Sequence, residues 1–318
     1  MSKIGAAVFR LLPVLLVLIA CAATGARAAD DPAVFPPGLR MGLAPVGNLK
    51  PNQGAAGFSD PEHQVTVTIV ELPPASFDGV SKAMFGTAPS GANEIKRELF
   101  PFRSGIGYLH TARVTENGVT SNRWLLLVTP AGTPQEFVAL ISATVPEAAS
   151  NVYPDELVRK MLASVTMRAP PIQEQLGLIP FTIGNLANFR VARVTPGSVL
   201  MVDGWTDNIG GQPYMVVSIG AAPQQKLEDR ARFSRDLLAT LPFRELSIQS
   251  ADEMRIGGEH GIEFRIRAKS PTGSPVAMVQ WVRFTGGGFL RYLGVAPAER
   301  WDELFPRFRA VRDGVDLR

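Results

Sequence analysis

Several features of the sequence recur in the same order in its two halves. The tetrapeptide GFSD at residues 57–60 has a close counterpart in GWTD at residues 204–207, which lies 147 positions later. Four further pairs keep this order at separations of 150 to 157 positions: Gly107 with Gly261, Trp124 with Trp281, Pro146 with Pro297, and Arg168 with Arg318. Unrelated matches would not stay collinear, so the sequence predicts an internal duplication.

The segments that follow the two tetrapeptides have the same periodicity. Val65, Val67 and Ile69 alternate with threonines, and QPYMVVSIG repeats this alternation in the second half. A period of two predicts a half-buried strand. The tetrapeptides themselves are predicted to be turns that feed these strands. Each turn would pack its aromatic ring and use its aspartate to accept hydrogen bonds from nearby backbone amides.

Each half continues with a helical pattern, several strands of antiparallel character and a closing helix at residues 154–165 or 297–312. Hairpin-linked strands with helices on the sheet face are typical of an α+β architecture. We therefore predict two tandem related α+β domains, each an antiparallel sheet flanked by helices, at residues 30–169 and 176–318. The linker, at about residues 168–175, contains two prolines and little apolar periodicity.

The first 29 residues have the three parts of a secretory signal. Lys3 and Arg10 form a cationic head, residues 11–20 form an apolar run, and Ala-Arg-Ala at residues 26–28 offers a cleavage site. The apolar run is shorter than the roughly 20 residues that cross a bilayer. The sequence therefore predicts a periplasmic or secreted protein without a transmembrane anchor.

Cys21 is the only cysteine in the chain. The stretch LIAC at residues 18–21 resembles a bacterial lipobox, in which the cysteine would carry a lipid anchor. The conventional cleavage site that follows favours removal of Cys21 with the signal, and both interpretations stay open. In either case the folded part carries no thiol, which excludes disulfides and thiol catalysis.

The charge of the mature chain is balanced. The full sequence has 32 basic and 29 acidic residues, and removal of the signal takes away Lys3, Arg10 and Arg27. The nearly neutral mature chain lacks the excess of basic residues that is typical of a nucleic-acid-binding protein.

Two stretches of the first half carry a family resemblance. GFSDPEHQVTVTIVELP at residues 57–73, with the helix after it, and VPEAASNVYPDELVRKMLASV at residues 145–165 resemble the PsbP/Mog-like fold. Members of this fold include the extrinsic photosystem II subunit, a Ran-binding protein and many bacterial exported proteins. Residues 35–318 also resemble a group of exported alphaproteobacterial proteins. The resemblance implies binding or accessory roles in preference to catalysis, and it supplies no active-site residues.

Motifs for catalysis or metal binding are weak. His63, His110 and His260 do not pair with other ligands at zinc-site spacing, so we expect neither a metal site nor a cofactor. The chain has no G-x-S-x-G motif, and Ser59 is interpreted as a turn hydroxyl.

The second half carries the candidate binding residues. If Ile262, Phe264 and Ile266 face the core, then Glu263, Arg265 and Arg267 share the opposite face. Arg283 and Arg291 lie on strands that we expect to be neighbours. The predicted binding residues are Arg265, Arg267, Trp281, Arg283 and Arg291. With an exposed tryptophan, this face would suit an acidic polymer, a lipid headgroup or a protein. Alternatively, it is a solvated face or packs under the other domain.

Our leading functional prediction is an exported, non-enzymatic binding or accessory protein of the cell envelope. Its partner would be an envelope protein or an acidic ligand. The alternative is a hydrolase-type enzyme with a diffuse site in the cleft between the domains.

Overall fold

The computed structural model describes residues 32–52, 56–85, 92–129, 137–221 and 226–318. The predicted signal at residues 1–29 and Cys21 lie outside the described residues. Of the helices in the described ranges, none has both the length and the apolar character that crossing a membrane requires.

The first half forms a sheet of seven strands, flanked by helices α1 (Phe77–Phe85) and α2 (Asp155–Ala163). In chain order its strands are β2 (Lys50–Pro51), β3 (Gly57–Asp60), β4 (Val65–Leu72), β5 (Ala92–Phe102), β6 (Gly105–Glu116), β7 (Val119–Val128) and β8 (Val138–Pro146). The spatial order is β2-β3-β4-β8-β7-β6-β5, and all neighbouring pairs are antiparallel.

The second half repeats this arrangement with helices α4 (Arg230–Asp236) and α5 (Trp301–Asp313). Its strands are β11 (Arg190–Thr195), β12 (Ser198–Val202), β13 (Tyr214–Ala221), β14 (Arg244–Ile256), β15 (Glu259–Lys269), β16 (Pro275–Thr285) and β17 (Gly288–Pro297). The spatial order β11-β12-β13-β17-β16-β15-β14 matches the first sheet strand for strand. We call the two units the first copy and the second copy. The prediction of two tandem related α+β units is confirmed.

Shorter elements complete the described chain. They are β1 (Met41–Gly42), which pairs with β9 (Thr166–Met167), and β10 (Phe181–Ile183), which pairs with β18 (Val315–Leu317). Helix α3 (Ile172–Leu178) overlaps the segment that we predict to be the linker.

Each sheet has helices over both faces. In the first copy α2 packs on the face of Val65, Val67 and Ile69, as the period of two in β4 predicts. In the second copy α5 covers one face, with Phe308 among the buried residues, and α4 lies over the other beside Leu238. Apolar side chains therefore fill a layer on each side of the second sheet, which explains why β16 is buried at nearly every position.

The pairing registers align the two copies residue by residue. Pro146 and Pro297 end the last strand of each sheet and serve as reference points. When Pro146 is aligned with Pro297, the residues that pair across neighbouring strands can be matched between the two sheets. The equivalent residues are Gly107 and Gly261, Leu109 and Glu263, Thr111 and Arg265, Arg113 and Arg267, Glu98 and Asp252, Phe100 and Met254, and Asp60 and Asp203. Trp124 and Trp281 share a face but lie two positions apart in this register.

The prediction that GFSD and GWTD occupy equivalent positions in the two copies is wrong. Residues 57–60 form strand β3, with Phe58 fully buried, whereas residues 204–207 lie in the loop between β12 and β13. The structural counterpart of Asp60 is Asp203, which directly follows β12. The chemical likeness of the tetrapeptides therefore misplaced one landmark by four residues, although the duplication itself is present.

Candidate functional site: an arginine groove on the second copy

The predicted binding residues divide between the two faces of the second sheet. Arg265 and Arg267 of β15 lie on the face that α5 covers, together with Trp281 and Arg283 of β16. Arg291 of β17 pairs with Val282 and therefore lies on the opposite face. β16 and β17 are neighbours as predicted, but Arg291 does not join the other four residues.

Trp281 is fully buried, so the expectation of an exposed tryptophan is wrong. Helix α5 lies over this part of the sheet, and the Phe305 ring stacks on the indole at 6.0 Å between centroids. The guanidinium of Arg312 lies 4.7 Å from the indole centroid. The indole Nε1 donates a hydrogen bond of 2.6 Å to Glu263 Oε2. Trp281 therefore forms part of the support beneath the surface.

Arg291 supports α4. Its Nε donates to Gln280 Oε1 at 2.8 Å, and its Nη2 donates to the Leu237 carbonyl at 2.9 Å. Gln280 in turn donates to the Ser234 carbonyl at 2.7 Å. Burial lowers the pKa of the Arg291 guanidinium. These bonds satisfy carbonyls near the end of α4 and occupy the side chain that the sequence suggested for ligand binding.

Arg283 is also buried, with 9% of its surface exposed. Its Nη2 lies 3.4 Å from the Gly257 carbonyl in the turn between β14 and β15. Among the residues that the structure describes, neither Nε nor Nη1 of Arg283 has a hydrogen-bond partner. Burial raises the pKa of the neighbouring Tyr292 phenol, and the charge of Arg283 opposes this rise. Arg283 is therefore enclosed beneath the hairpin turn.

An open groove remains beside α5, where the helix does not reach the edge of the sheet. It has a volume of about 310 Å³, with a floor of Asp252, Met254, Glu263 and Arg265 and a wall of Phe305, Arg309 and Arg312. A second depression of about 190 Å³ adjoins it through Arg265 and extends to Arg267 and Trp301. We call these two depressions together the arginine groove.

The acidic side chains of the arginine groove are partly engaged within the protein. Glu263 is buried and accepts a bond of 2.7 Å from Arg265 Nε as well as the bond from Trp281. The Arg265 guanidinium also lies 4.6 Å from the Phe305 ring centroid, and Arg312 pairs with Asp313 at 2.6 Å. The Glu263 carboxylate thus fixes one arginine of the floor in place.

Two exposed arginines of the groove are available for a ligand. Neither Arg267 nor Arg309 forms a salt bridge with a carboxylate in the described part of the chain. Four arginines line the groove against two acidic residues, Asp252 and Glu263, so its charge is positive. Exposed guanidinium groups beside an aromatic ring can bind carboxylate or phosphate groups and stack on planar groups.

The equivalent region of the first copy has fewer charged side chains on its sheet face, and an ion pair joins its helix to the edge strand. Leu109 stands in the place of Glu263, and Thr111 stands in the place of Arg265. Arg159 of α2 bridges to Glu98 of the edge strand β5 at 2.7 Å and lies over the Phe100 ring at 6.0 Å. In the second copy no such ion pair joins α5 to Asp252 in the described structure. The charged floor residues Glu263 and Arg265 therefore have no charged counterpart in the first copy.

Sequence reasoning found Arg265 and Arg267 but missed the wall of the groove. Phe305, Arg309 and Arg312 recur at spacings of four and three residues, which places them on one face of α5. This spacing was readable from the sequence. What it could not show is that this face of the helix borders β15.

The turn around Asp60 is a second polar cluster. The Asp60 carboxylate accepts bonds from Tyr153 Oη at 2.7 Å, His63 Nδ1 at 2.8 Å and the Glu62 amide at 3.1 Å. The predicted bonding of this aspartate to nearby amides is confirmed. Ligand atoms of Asp60, Glu62 and His63 lie within 4.8 Å of one another. Protein donors already occupy the buried carboxylate, so the cluster joins the turn to the segment before α2.

Comparison with known proteins finds matches among solved structures. No family model and no curated protein matches the chain. The solution structure of cyanobacterial PsbP from Synechocystis is 16% identical, covers 44% of this chain and 82% of its own, and has a TM-score of 0.30. The Ran-binding protein Mog1p of Saccharomyces cerevisiae is 11% identical, with coverages of 43% and 90% and a TM-score of 0.32.

A third structure matches over most of the chain. The type VI secretion immunity protein TplEi of Pseudomonas aeruginosa is 11% identical, with coverages of 90% and 96% and a TM-score of 0.29. Structures of the PsbP/Mog-like fold are thus among the matches, as the sequence resemblance predicted. These TM-scores are below 0.5, so we take no function from them. The alphaproteobacterial group stays a prediction.

Proposed function

We propose that the protein is an exported binding or accessory protein of the cell envelope, periplasmic or secreted, and that its ligand occupies the arginine groove. The observation that carries this proposal is the pair of exposed arginines without carboxylate partners in the described structure, Arg267 and Arg309, at a groove whose charged floor the first copy does not repeat. Duplicated units that keep the same sheet and differ at one site are expected to differ in what that site binds.

The ligand that fits this groove is acidic. Arg267 and Arg309 offer unpaired guanidinium groups, and Phe305 offers an apolar ring beside them. The groove is open to solvent and lies along the edge strand β14, which suits an extended acidic segment of an envelope protein. The balanced charge of the mature chain argues against a nucleic-acid ligand.

The proposal is tested by affinity capture from an envelope extract, followed by mass-spectrometric identification of the retained proteins. The test variant carries Arg267→Glu and Arg309→Glu, which reverse the charge of the groove without removing a salt bridge. The matched control carries Arg193→Glu, because Arg193 is an exposed arginine on the opposite edge strand β11.

We expect the wild type and the control to retain the same acidic protein, and the groove variant to lose it. Addition of salt should weaken retention by the wild type, because charge pairing with exposed arginines is screened. Equal retention by all three proteins would show that the ligand binds elsewhere.

A further inference from the structure

The loop between β12 and β13 distinguishes the second copy from the first. The first copy joins the equivalent strands with the tight turn at residues 61–64, whereas the second copy uses residues 204–212. The flanking strands keep the same register, and the Asp203 amide still bonds to the Pro213 carbonyl at 3.0 Å. The additional residues therefore form an insertion on an unchanged sheet.

Gln212 forms hydrogen bonds with residues at the beginning and in the middle of this loop. Its Oε1 accepts from the Gly204 amide at 2.9 Å, and its Nε2 donates to the Thr206 carbonyl at 3.0 Å and to the Asn208 carbonyl. Arg190 of β11 pairs with Asp207 at 2.7 Å. The polar groups of the loop are thus largely bonded within the protein.

The apolar side chains of the loop point to solvent. Trp205 is 96% exposed and Ile209 is 41% exposed. Among the described residues the Trp205 indole N–H has no hydrogen-bond acceptor. A single exposed aliphatic residue is ordinary on a protein surface. An almost completely exposed indole on a braced insertion is not required by the fold, because the first copy closes the same turn without it.

We infer that the loop at residues 204–212 is a docking element, in which Trp205 inserts into an apolar pocket of a protein partner. The pocket would accept a hydrogen bond from the indole N–H, and its polar rim would contact Thr206 and Asn208. Tryptophan is enriched among residues that dominate binding energy at protein interfaces. A loop already fixed by Gln212 loses little conformational entropy on binding, which increases affinity.

The charges of the loop favour a protein over a membrane surface. Attachment to anionic lipid requires unpaired cationic groups in addition to apolar ones. Here the cation next to the loop, Arg190, is neutralised by Asp207. One indole and one isoleucine offer too little apolar surface for stable membrane insertion by themselves. The inference does not depend on the arginine groove.

The test places a photo-crosslinking amino acid at Ile209 in the full chain and leaves Trp205 intact. This protein is irradiated with an envelope protein extract and, separately, with protein-free vesicles of phosphatidylethanolamine and phosphatidylglycerol. Trp205→Ala and Gln212→Ala are made in the same background. A second crosslinker, at the exposed Leu178 of α3, reports on nonspecific collisions.

We expect one discrete protein adduct from position 209, and about a thirtyfold lower yield after Trp205→Ala, as for a dominant interface residue. Gln212→Ala, which releases the loop and keeps the indole, should reduce the yield less. Arg267→Glu with Arg309→Glu should leave the yield unchanged. An adduct with lipid only, an adduct with a second copy of this chain, an adduct that survives Trp205→Ala, or the absence of an adduct would each overturn the inference.

Discussion

Asp60 and Asp203 occupy the same register position in the two copies, and each accepts a hydrogen bond from the segment just before the closing helix of its own copy. In the first copy the donor is Tyr153, just before α2. In the second copy the donor is Arg300, just before α5, at 3.0 Å, and Arg307 in the middle of α5 adds an ion pair with Asp203. The position of the acceptor is conserved within the molecule while its partners differ. Asp60 thus connects the β3–β4 hairpin to the segment that leads into α2, and Asp203 connects the β12–β13 hairpin to α5 and the residue before it.

The stability of the first copy should depend on pH through Asp60. The hydrogen bond from Tyr153 lowers the pKa of the Asp60 carboxyl, and the bonds from His63 act in the same direction against the effect of burial. A carboxyl with a depressed folded pKa stabilises the protein above its unfolded pKa of about 3.9. This contribution is lost as the pH falls through the lower folded pKa.

Asp60→Asn should therefore flatten the pH dependence of the free energy of unfolding in this acidic window. Denaturant titrations at a series of pH values measure it. Tyr153→Phe is the matched variant, because it keeps the ring and removes the donor. If wild type and Asp60→Asn lose stability in parallel as the pH falls, other carboxyl groups control the acid response.

Asp203 and Arg307 should be energetically coupled. Burial alone would raise the pKa of the Asp203 carboxyl, but the bonds from Arg307 and Arg300 outweigh it, and the pKa is lowered. The Asp203–Arg307 pair is 2.6 Å apart and both side chains are largely buried. We expect Asp203→Ala and Arg307→Ala each to cost about 2 kcal/mol of stability, with a coupling of about 1 kcal/mol in a double-mutant cycle.

The control cycle uses Arg113 and Glu147, an ion pair whose side chains are about half exposed. Solvent screens this pair, so its coupling should stay below about 0.5 kcal/mol. Equal coupling in the two cycles would mean that the Asp203 pair contributes no more than a surface contact.

Gly107 and Gly261 are equivalent in register, but substitution should affect them differently. A Cβ atom at Gly107 would lie 2.6 Å from the Leu127 carbonyl oxygen, which belongs to the rigid β7 backbone. A Cβ atom at Gly261 would first meet the end of the Ile256 side chain, at 2.7 Å, which can rotate. Gly107→Ala should therefore cost about 3 kcal/mol and Gly261→Ala about 1 kcal/mol, measured by denaturant unfolding. A larger loss for Gly261→Ala would contradict this reading of the two contacts.

The fold was more readable from the sequence than its register. Alternation in β4, together with the collinear landmarks, predicts the duplicated sheets, because period two follows directly from strand geometry. The similarity of GFSD and GWTD led us to match Asp60 with Asp207, whereas the strand register matches it with Asp203. The insertion at residues 204–212 breaks the spacing, and only the observed strand pairs reveal where the extra residues lie.

Only part of the candidate site could be predicted from the sequence, because periodicity shows which residues share a face but not whether that face is covered. Alternation on β15 correctly placed Arg265 and Arg267 on one face. Whether a sheet face is exposed depends on where a helix crosses it, and this is a property of tertiary packing. Helix α5 covers Trp281 and leaves the strip beside β14 open, so the predicted tryptophan is buried while the arginines border a groove.

Arg309 and Arg265 should separate ligand binding from stability. Arg309 is exposed and has no salt bridge in the described structure, so Arg309→Ala should change the free energy of unfolding by less than about 0.5 kcal/mol. Arg265 bonds to the buried Glu263 and stacks on Phe305, so Arg265→Ala should cost about 1 to 2 kcal/mol.

The corresponding binding measurement uses a fluorescent oligoglutamate peptide at low salt. Both variants should bind it more weakly than the wild type, because each removes a guanidinium from the groove, while Arg193→Ala should bind it unchanged. Only Arg265→Ala should also lower stability. If Arg309→Ala binds the peptide as tightly as the wild type, the unpaired arginines do not form the acidic-ligand site, whatever the effect of Arg265→Ala.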